Sequence, residues 1–393
     1  FFDLLKKEDP SSIAAAASRL LPDRWMLTLS RTFISRTPCF TPTRSTLTTK
    51  MSALSGFKVL EIEGIGPGPL GACVLADFGA DVISISAIKK GRLKSQNDPV
   101  SRGKRSMGID LKSKEGKALF LDMVTSADCV IEPFRPGVME KLGLGPDVLQ
   151  QQNERIIFAR MTGWGNMGSE QVYKTAGHDS NYLALSGALD LFRRRDEKPL
   201  PPANFAGDYA GGGMMLAMGV LLAAMERTKS GKGQVIDVAM TEGANYCALP
   251  LYKWLQQGVL PRKEGGNQHL DATNSFLHQG PPWSTTYTCR DGEWMSVQCI
   301  EPKFYAAFLK GMGLEDAKGL PHQHDRESWP WMEARFGSIF QTKTRDEWAD
   351  IFLGTDACCW PGKEWWCGVV VVVVVVWWCG GVVVWWCGGC GGR

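Results

Sequence analysis

Residues 57–71 read FKVLEIEGIGPGPLG, and the chain continues at Asp81–Ser86 with DVISIS. Phe57–Glu63 is a short apolar run closed by the glycine- and proline-rich turn Gly64–Gly71, which is the pattern of a buried strand. Leu70–Phe78 fits a helix, and Asp81–Ser86 a second strand. The alternation persists: a strand at Ser106–Leu111, a helix over Lys114–Ser126, and strands at Cys129–Glu132 and Arg155–Met161. This rhythm predicts an α/β domain in which helices cover a parallel sheet. Sites in such sheets lie at the carboxyl ends of the strands.

Further on, Tyr209–Arg227 is a long helical stretch behind a glycine cluster, Ser230–Gly233 ends it, and Gln234–Met240 resumes a strand. Trp254–His278 reads as a connector with little periodicity. Ser284–Leu309 then reads strand, Asp291-Gly292 turn, strand, helix, so a smaller α+β domain is expected. The organisation that follows is a leader over 1–50, a large domain over 51–253, a linker over 254–280, a small domain over 281–358 and a separate tail over 359–393.

The two ends differ from the body. Met26–Lys50 carries Arg31, Arg36, Arg44 and Lys50, many Ser and Thr, and no acid. That is the composition of an organellar transit segment, with a translated leader ahead of Met51 as the alternative, and it predicts a mitochondrial or peroxisomal location. The tail from Cys359 is low in complexity, without strand alternation or helical periodicity. It reads as a frameshifted end; Cys387-Gly388-Gly389-Cys390 lacks the second ligand pair that a metal site would need.

Composition narrows the partners. The 393 residues suffice for two cores, 44% hydrophobic and 22% charged residues suit a globular protein, and a net charge of +3 demands no nucleic acid. The valine run Val369–Val376 is too short to span a membrane. Cys39, Cys73, Cys129, Cys247, Cys289 and Cys299 form no CxxC pair, which fits a reduced intracellular body.

Three features carry chemistry. Gly66-Pro67-Gly68-Pro69-Leu70-Gly71 formally matches GxGxxG, but two prolines remove donors a pyrophosphate would use, and Ser84 and Ser86 stand where a nicotinamide site needs an acid. A tight strand-to-helix turn is the better reading. Lys89, Lys90, Arg92, Lys94, Arg102, Lys104 and Arg105 are opposed only by Asp98; with Arg135 they suit a polyphosphate, and as a plain charge run they suit a solvated loop. His178, between Gly177 and Asp179-Ser180, lies where a helix would begin, so free backbone N–H groups there suit an oxyanion. Asp208 precedes the cluster Gly211–Gly213 and is read as a second acid–base group, or else as an ordinary helix cap.

These residues resemble the racemase branch of the family III CoA-transferase (CaiB/BaiF) superfamily. The likeness covers about Met51–Cys358 and includes Gly64–Pro69, RGKRSMGIDLK (Arg102–Lys112), EPFRPGVMEKLGLGP (Glu132–Pro146), TGWG (Thr162–Gly165), AGHDSNYLALSG (Ala176–Gly187), GDYAGGG (Gly207–Gly213), SGKGQVIDVAM (Ser230–Met240) and CIEPKFY (Cys299–Tyr305). The resemblance implies a Rossmann-like large domain, an interlocked homodimer, and a two-base 1,1-proton transfer that inverts the α-carbon of 2-methylacyl-CoA substrates. It makes His178 and Asp208 the two bases, the Asp179 amide a donor to the enolate, and Glu301 of the second subunit the group that orients His178. Asn204 is expected to contact Asp208, and Tyr182 to lie near the thioester. Ile65, Lys104, Arg105 and Arg135, with Gly103, Ser106 and Gly177, are expected to meet coenzyme A, which is part of the substrate; no separate cofactor is implied.

The chain departs from that pattern at Ser84 and Ala87, where phosphate-binding arginines are usual and Lys89, Lys90 or Arg92 would have to substitute. It also departs over Leu270–Trp283 and after Cys358. Two other readings stay open: a CoA transferase with Asp179 as nucleophile, and a non-catalytic CoA-binding paralogue. His178, Asp208 and Glu301 together favour proton transfer.

Overall fold

The computed structural model describes residues 52–87, 98–166, 170–193, 197–258, 280–362, 374–378 and 381–385. The chain divides into two compact units, Met51–Cys367 and a second formed by Phe1–Lys50 with Gly368–Arg393. The leader, the basic residues Lys89, Lys90, Arg92 and Lys94, and most of the connector (259–279) lie outside the described residues.

Within Met51–Cys367, six strands form one all-parallel sheet: β1 (Lys58–Ile62), β2 (Asp81–Ser86), β3 (Arg105–Gly108), β4 (Cys129–Glu132), β5 (Ile157–Thr162) and β6 (Val235–Ala239), in the order β3-β2-β1-β4-β5-β6. This is the doubly wound α/β arrangement that the alternation predicts. Both faces are covered, so the central strands are mostly apolar, with Glu61, Glu132 and Arg160 as buried charged exceptions. Val59, Ile131 and Ala159 pack on one side against α1 (Pro67–Asp77) and the long helix Met215–Ser230; Leu60, Ile62, Val130 and Phe158 pack on the other against α2 (Lys114–Val124), α3 (Val138–Lys141) and α4 (Pro146–Gln152).

The helix after β1 starts at Pro67, earlier than the periodicity suggests. Proline at the first helical position loses no needed donor and has φ preset, so the two prolines that spoil a pyrophosphate cradle make a good helix start. After β5 come α5 (Glu170–Tyr173) and α6 (Asp179–Ser186). The stretch expected to be helical from Tyr209 begins at Phe205 as a π-helix, Phe205–Met214, and continues as α7 (Met215–Ser230). By length and composition Phe205–Ser230 could cross a membrane, yet Leu216, Ala217, Val220 and Ala223 of α7 are buried in the core beneath the sheet, as in a soluble core helix. A further helix, α8 (Met240–Gln256), follows β6; Gly243 and Pro250 hide it in the sequence.

The smaller α+β part pairs β7 (Ser284–Thr288) antiparallel to β8 (Trp294–Gln298), with α9 (Pro302–Gly311), α10 (Trp329–Phe340) and α11 (Arg345–Phe352) around a separate aromatic core that includes Trp283, Phe308, Phe336, Phe340 and Trp348. A third strand, β9 (Cys359–Pro361), pairs with β8 through Val297↔Cys359. The sheet therefore runs past the boundary expected at Cys358. In the other unit, β10 (Val374–Trp378) pairs antiparallel with β11 (Gly381–Trp385). That corrects the reading of the tail as devoid of strand character: valine and tryptophan favour extended backbone even where no polar alternation marks a face.

The glycine cluster is where helices meet most closely. A Cβ on Gly243 of α8 would lie 1.8 Å from the Gly211 carbonyl oxygen, and one on Gly213 would lie 2.9 Å from Leu70. Gly243→Ala is therefore expected to cost about 3 kcal/mol or more. Gly219→Ala, whose new methyl would meet Ile236 at an ordinary 3.5 Å, is expected to be neutral or to stabilise by up to about 1 kcal/mol through helix propensity. Thermal or urea unfolding of the two variants checks this; equal stabilities would contradict it.

Candidate active site

The strand order reverses between β1 and β4, and their carboxyl-terminal loops meet there: a Cβ on Gly64 would lie 2.7 Å from the Pro133 ring. A crevice at such a switch point is where open α/β sheets bind ligands. The loop after β4 carries Arg135, the segment after β5 leads to His178, and the π-helix supplies Asp208.

Asp179 ties these parts together. It is the first residue of α6, only 3% exposed, and its Oδ1 accepts from the backbone amides of Gly207 and Asp208 at 2.8 and 2.7 Å. Those are donors of the first turn of the π-helix, which otherwise lack partners, so a carboxylate from one helix caps another. Asp179 Oδ2 is buried without a hydrogen-bond partner. Gly207 is required here, because a Cβ would lie 2.7 Å from Asp179 Oδ1.

The π-helix enters through Ala203 and Asn204, both with positive φ (49° and 65°), and Asn204 caps it. Asn tolerates this left-handed conformation better than most residues. The Tyr209 amide donates to the Asn204 carbonyl, an i to i+5 bond, and Asn204 Nδ2 donates to Asp208 Oδ2 at 2.7 Å. Asp208 thus lies inside the helix and is not its cap. Burial raises its pKa; the Asn204 hydrogen bond opposes this, the Asp179 charge adds to it, and the charge of His178 opposes it. A carboxyl so balanced can hold a proton or release one.

His178 is exposed and occupies the cap position of α6, its backbone amide donating to Asn181 Oδ1 at 3.0 Å. As the first two helical residues, Asp179 and Ser180 have amides with no intrahelical acceptor, so they point free donors toward the same end. Tyr182 is buried, its hydroxyl donates to the Gly177 carbonyl, and its ring stands edge-on to Trp164 at 4.7 Å. Burial pushes its phenol up to about 12, with Asp208 adding and Arg135 opposing. Gly177 must be glycine, since a Cβ would lie 2.5 Å from Trp164 and 2.7 Å from Tyr182. The β1 loop closes the other side: a Cβ on Gly66 would come within 3.4 Å of Asp208 Oδ2. His178, Asp179, Asn204, Asp208, Gly177 and Tyr182 are therefore brought together.

The residues expected to meet coenzyme A divide. Ile65 is 93% exposed at the crevice, and Gly103 and Ser106 are exposed on the β3 side. Arg135 is exposed, and among the described residues its guanidinium has no hydrogen-bond or ion-pair partner. Lys104 must be corrected from a phosphate contact: its side chain is 2% exposed and its Nζ is committed to Glu61 Oε2 at 2.7 Å and the Pro69 carbonyl at 2.8 Å. Arg105 lies against Asp81 in a two-pronged pair, and Arg102 pairs with Asp77. The described half of the basic run is thus neutralised by acids on β1, α1 and β2, which spacing along the sequence does not reveal. Glu61 was missed for the same reason, although an acid within an otherwise apolar central strand is itself a signal of a buried partner.

Glu301 caps α9 in the smaller part and is exposed. Among the described residues no hydrogen bond or ion pair joins it to His178.

Comparison with known proteins places this site in context. The profile of CoA-transferase family III matches residues 54–365. The chain is similar to the alpha-methylacyl-CoA racemase of Mus musculus (46% identical over 309 residues, 78% of this chain and 77% of that protein) and to the alpha-methylacyl-CoA racemase of Homo sapiens (45% over 311 residues, 79% and 77%). Among solved structures it is similar to Rv3272 from M. tuberculosis (26% identical, TM-score 0.64, covering 80% of this chain and 84% of that one). A CaiB/BaiF family protein from Brucella suis shares the fold (24% identical, TM-score 0.65, 80% and 84% covered).

Asn204→Gly keeps the left-handed backbone but removes the donor that stabilises the Asp208 carboxylate. The Asp208 pKa is expected to move further up, read by carbon-13 titration of the labelled carboxyl; an unchanged or lower value would show that Asn204 does not hold that charge.

Proposed function

The chain belongs to CoA-transferase family III, and we propose that it is an isomerase that inverts the α-carbon of 2-methylacyl-CoA thioesters. The reading places it in the metabolism of branched-chain fatty acids or bile-acid intermediates. The observation that supports it is that Asp179, next to His178 at the start of α6, accepts from the Asp208 amide, which holds the Asp208 backbone to that helix start.

The chemistry follows from these groups. One of the two bases removes the α-proton, and the electron pair of the broken C–H bond moves to the thioester oxygen to give an enolate. The other, already protonated, returns a proton to the opposite face, so the reaction ends with the bases' protonation exchanged. Such a pair needs one member protonated and one free at the same pH, and burial moves the Asp208 carboxyl upward, in the direction that favours its holding a proton. The free amides of Asp179 and Ser180 stabilise the enolate oxygen. Arg135, exposed at the switch point, meets coenzyme A phosphates.

Asp179 speaks against the transferase alternative. A nucleophilic carboxylate must present an oxygen to the thioester, whereas Oδ1 here takes two amide hydrogen bonds and Oδ2 is buried.

We place the protein in a homodimer, with Glu301 of a second copy completing the site. Two observations support this. Among the described residues no hydrogen bond or ion pair joins Glu301 to His178, and Met214 at the end of the π-helix with Met218, Leu221, Leu222 and Met225 of α7 presents an exposed apolar stripe. The basic, acid-free stretch Met26–Lys50 supports an organellar transit segment, in keeping with a mitochondrial location.

Incubating the protein with one epimer of a 2-methylacyl-CoA in D₂O is expected to place deuterium at the α-carbon with loss of optical purity. His178→Ala and Asp208→Asn are each expected to lower the exchange by about 100-fold or more. Transfer of CoA to an added free acid without exchange would overturn this reading and make Asp179 a nucleophile.

A further inference from the structure

Glu132 ends β4 at the switch point and is 2% exposed. Its Oε2 accepts from the Phe134 amide at 2.9 Å, which fixes the first turn of the loop Pro133–Gly137 that carries Arg135. In the sheet register Glu132 stands opposite Arg160 on β5, and Arg160 stands opposite Asp237 on β6.

Arg160 reaches both ends of that loop. Its Nε lies 4.0 Å from Glu132 Oε1, before the loop, and its Nη2 pairs with Glu140 on α3, after the loop. Its Nη1 reaches Asn166 Oδ1 at 3.4 Å, and Asn166 donates in turn to both Asp237 oxygens at 2.8 and 2.7 Å. The guanidinium also covers the Phe158 ring, 5.2 Å from its centroid. Burial pushes the Glu132 carboxyl up to about 7, with the Phe134 amide and Arg160 opposing and Glu140 and Asp237 adding. The nearest cation to this buried acid is Arg160, 4.0 Å away without a hydrogen bond between them.

We propose that Arg160, braced by Glu132 and Glu140, is a positioning residue that clamps both ends of the Pro133–Gly137 loop and so presents Arg135 to the phosphates of the CoA thioester. The planar fork of arginine suits this task, because it hydrogen-bonds Glu140 through Nη2 while its Nε, buried without a hydrogen-bond partner, faces Glu132 at 4.0 Å from the same rigid plane; a lysine cannot. The clamp sits beneath the sheet edge and touches no reacting atom. It rests on the reading that Arg135 binds CoA phosphates.

The test compares KM and kcat for a 2-methylacyl-CoA and for the matching pantetheine thioester, which lacks the nucleotide phosphates. Arg160→Lys, and more mildly Glu140→Gln, are expected to raise KM for the CoA thioester about five- to tenfold, with kcat within about twofold and KM for the pantetheine thioester unmoved. In an Arg135→Ala background Arg160→Lys is expected to add nothing. Equal KM increases for both thioesters, or additive effects with Arg135→Ala, would overturn the clamp and leave Arg160 a general structural residue. A rise with Arg135→Ala but none with Arg160→Lys or Glu140→Gln would overturn the clamp alone. An Arg135→Ala variant that leaves KM for the CoA thioester unchanged would overturn the phosphate role of Arg135, and the clamp with it.

Discussion

The carboxylate of Asp179, accepting from the amides of Gly207 and Asp208, is the contact on which the candidate site depends. It does three things from one position. It supplies the missing partners at the start of a helix whose entry backbone is strained at Ala203 and Asn204. It holds the Asp208 backbone to the start of α6, so the separation between the two candidate bases is set by hydrogen bonds and not by loop conformation. Its charge also pushes the Asp208 carboxyl up, toward the range where a proton can be held as well as taken. The glycines serve this geometry: Gly207 admits the Asp179 carboxylate, while Gly211, Gly212 and Gly213 let α1 and α8 close on the π-helix.

The sheet was legible because its signals are local. The strands β1, β2 and β4 are bounded by turn residues and carry apolar runs, and the helices between them have the right length and caps. The π-helix was not legible, since its wide turns arise from an αL entry and a remote carboxylate, neither of which leaves a period in the sequence. The helix α8 was hidden by Gly243 and Pro250, the first of which exists for a contact with Gly211 that only the fold reveals.

The site residues divide along the same line. His178, Asp179 and Asp208 could be singled out because glycine and acid patterns around a helix start are local, while their roles came from the family resemblance. Lys104 was misjudged because its partner Glu61 is far away in sequence and adjacent only in the sheet. A run of like charge announces basicity but not which members are already neutralised; here Asp77, Asp81 and Glu61 answer Arg102, Arg105 and Lys104 in turn. Arg135 stands apart because, among the described residues, no acid forms an ion pair with its guanidinium.

These buried charges also indicate how one scaffold can host two chemistries. An aspartate at the start of α6 is a plausible nucleophile whenever one of its oxygens faces the crevice. Turning that carboxylate inward, to two backbone amides, removes it from the thioester and spends its charge on Asp208. The residue before it, His178, remains exposed at the helix cap. On the proposed reading, the choice between group transfer and proton transfer would rest on the direction of one side chain and the identity of its neighbour, with the sheet and the switch point unchanged. Fold alone does not make that distinction, so it has to be argued from the site.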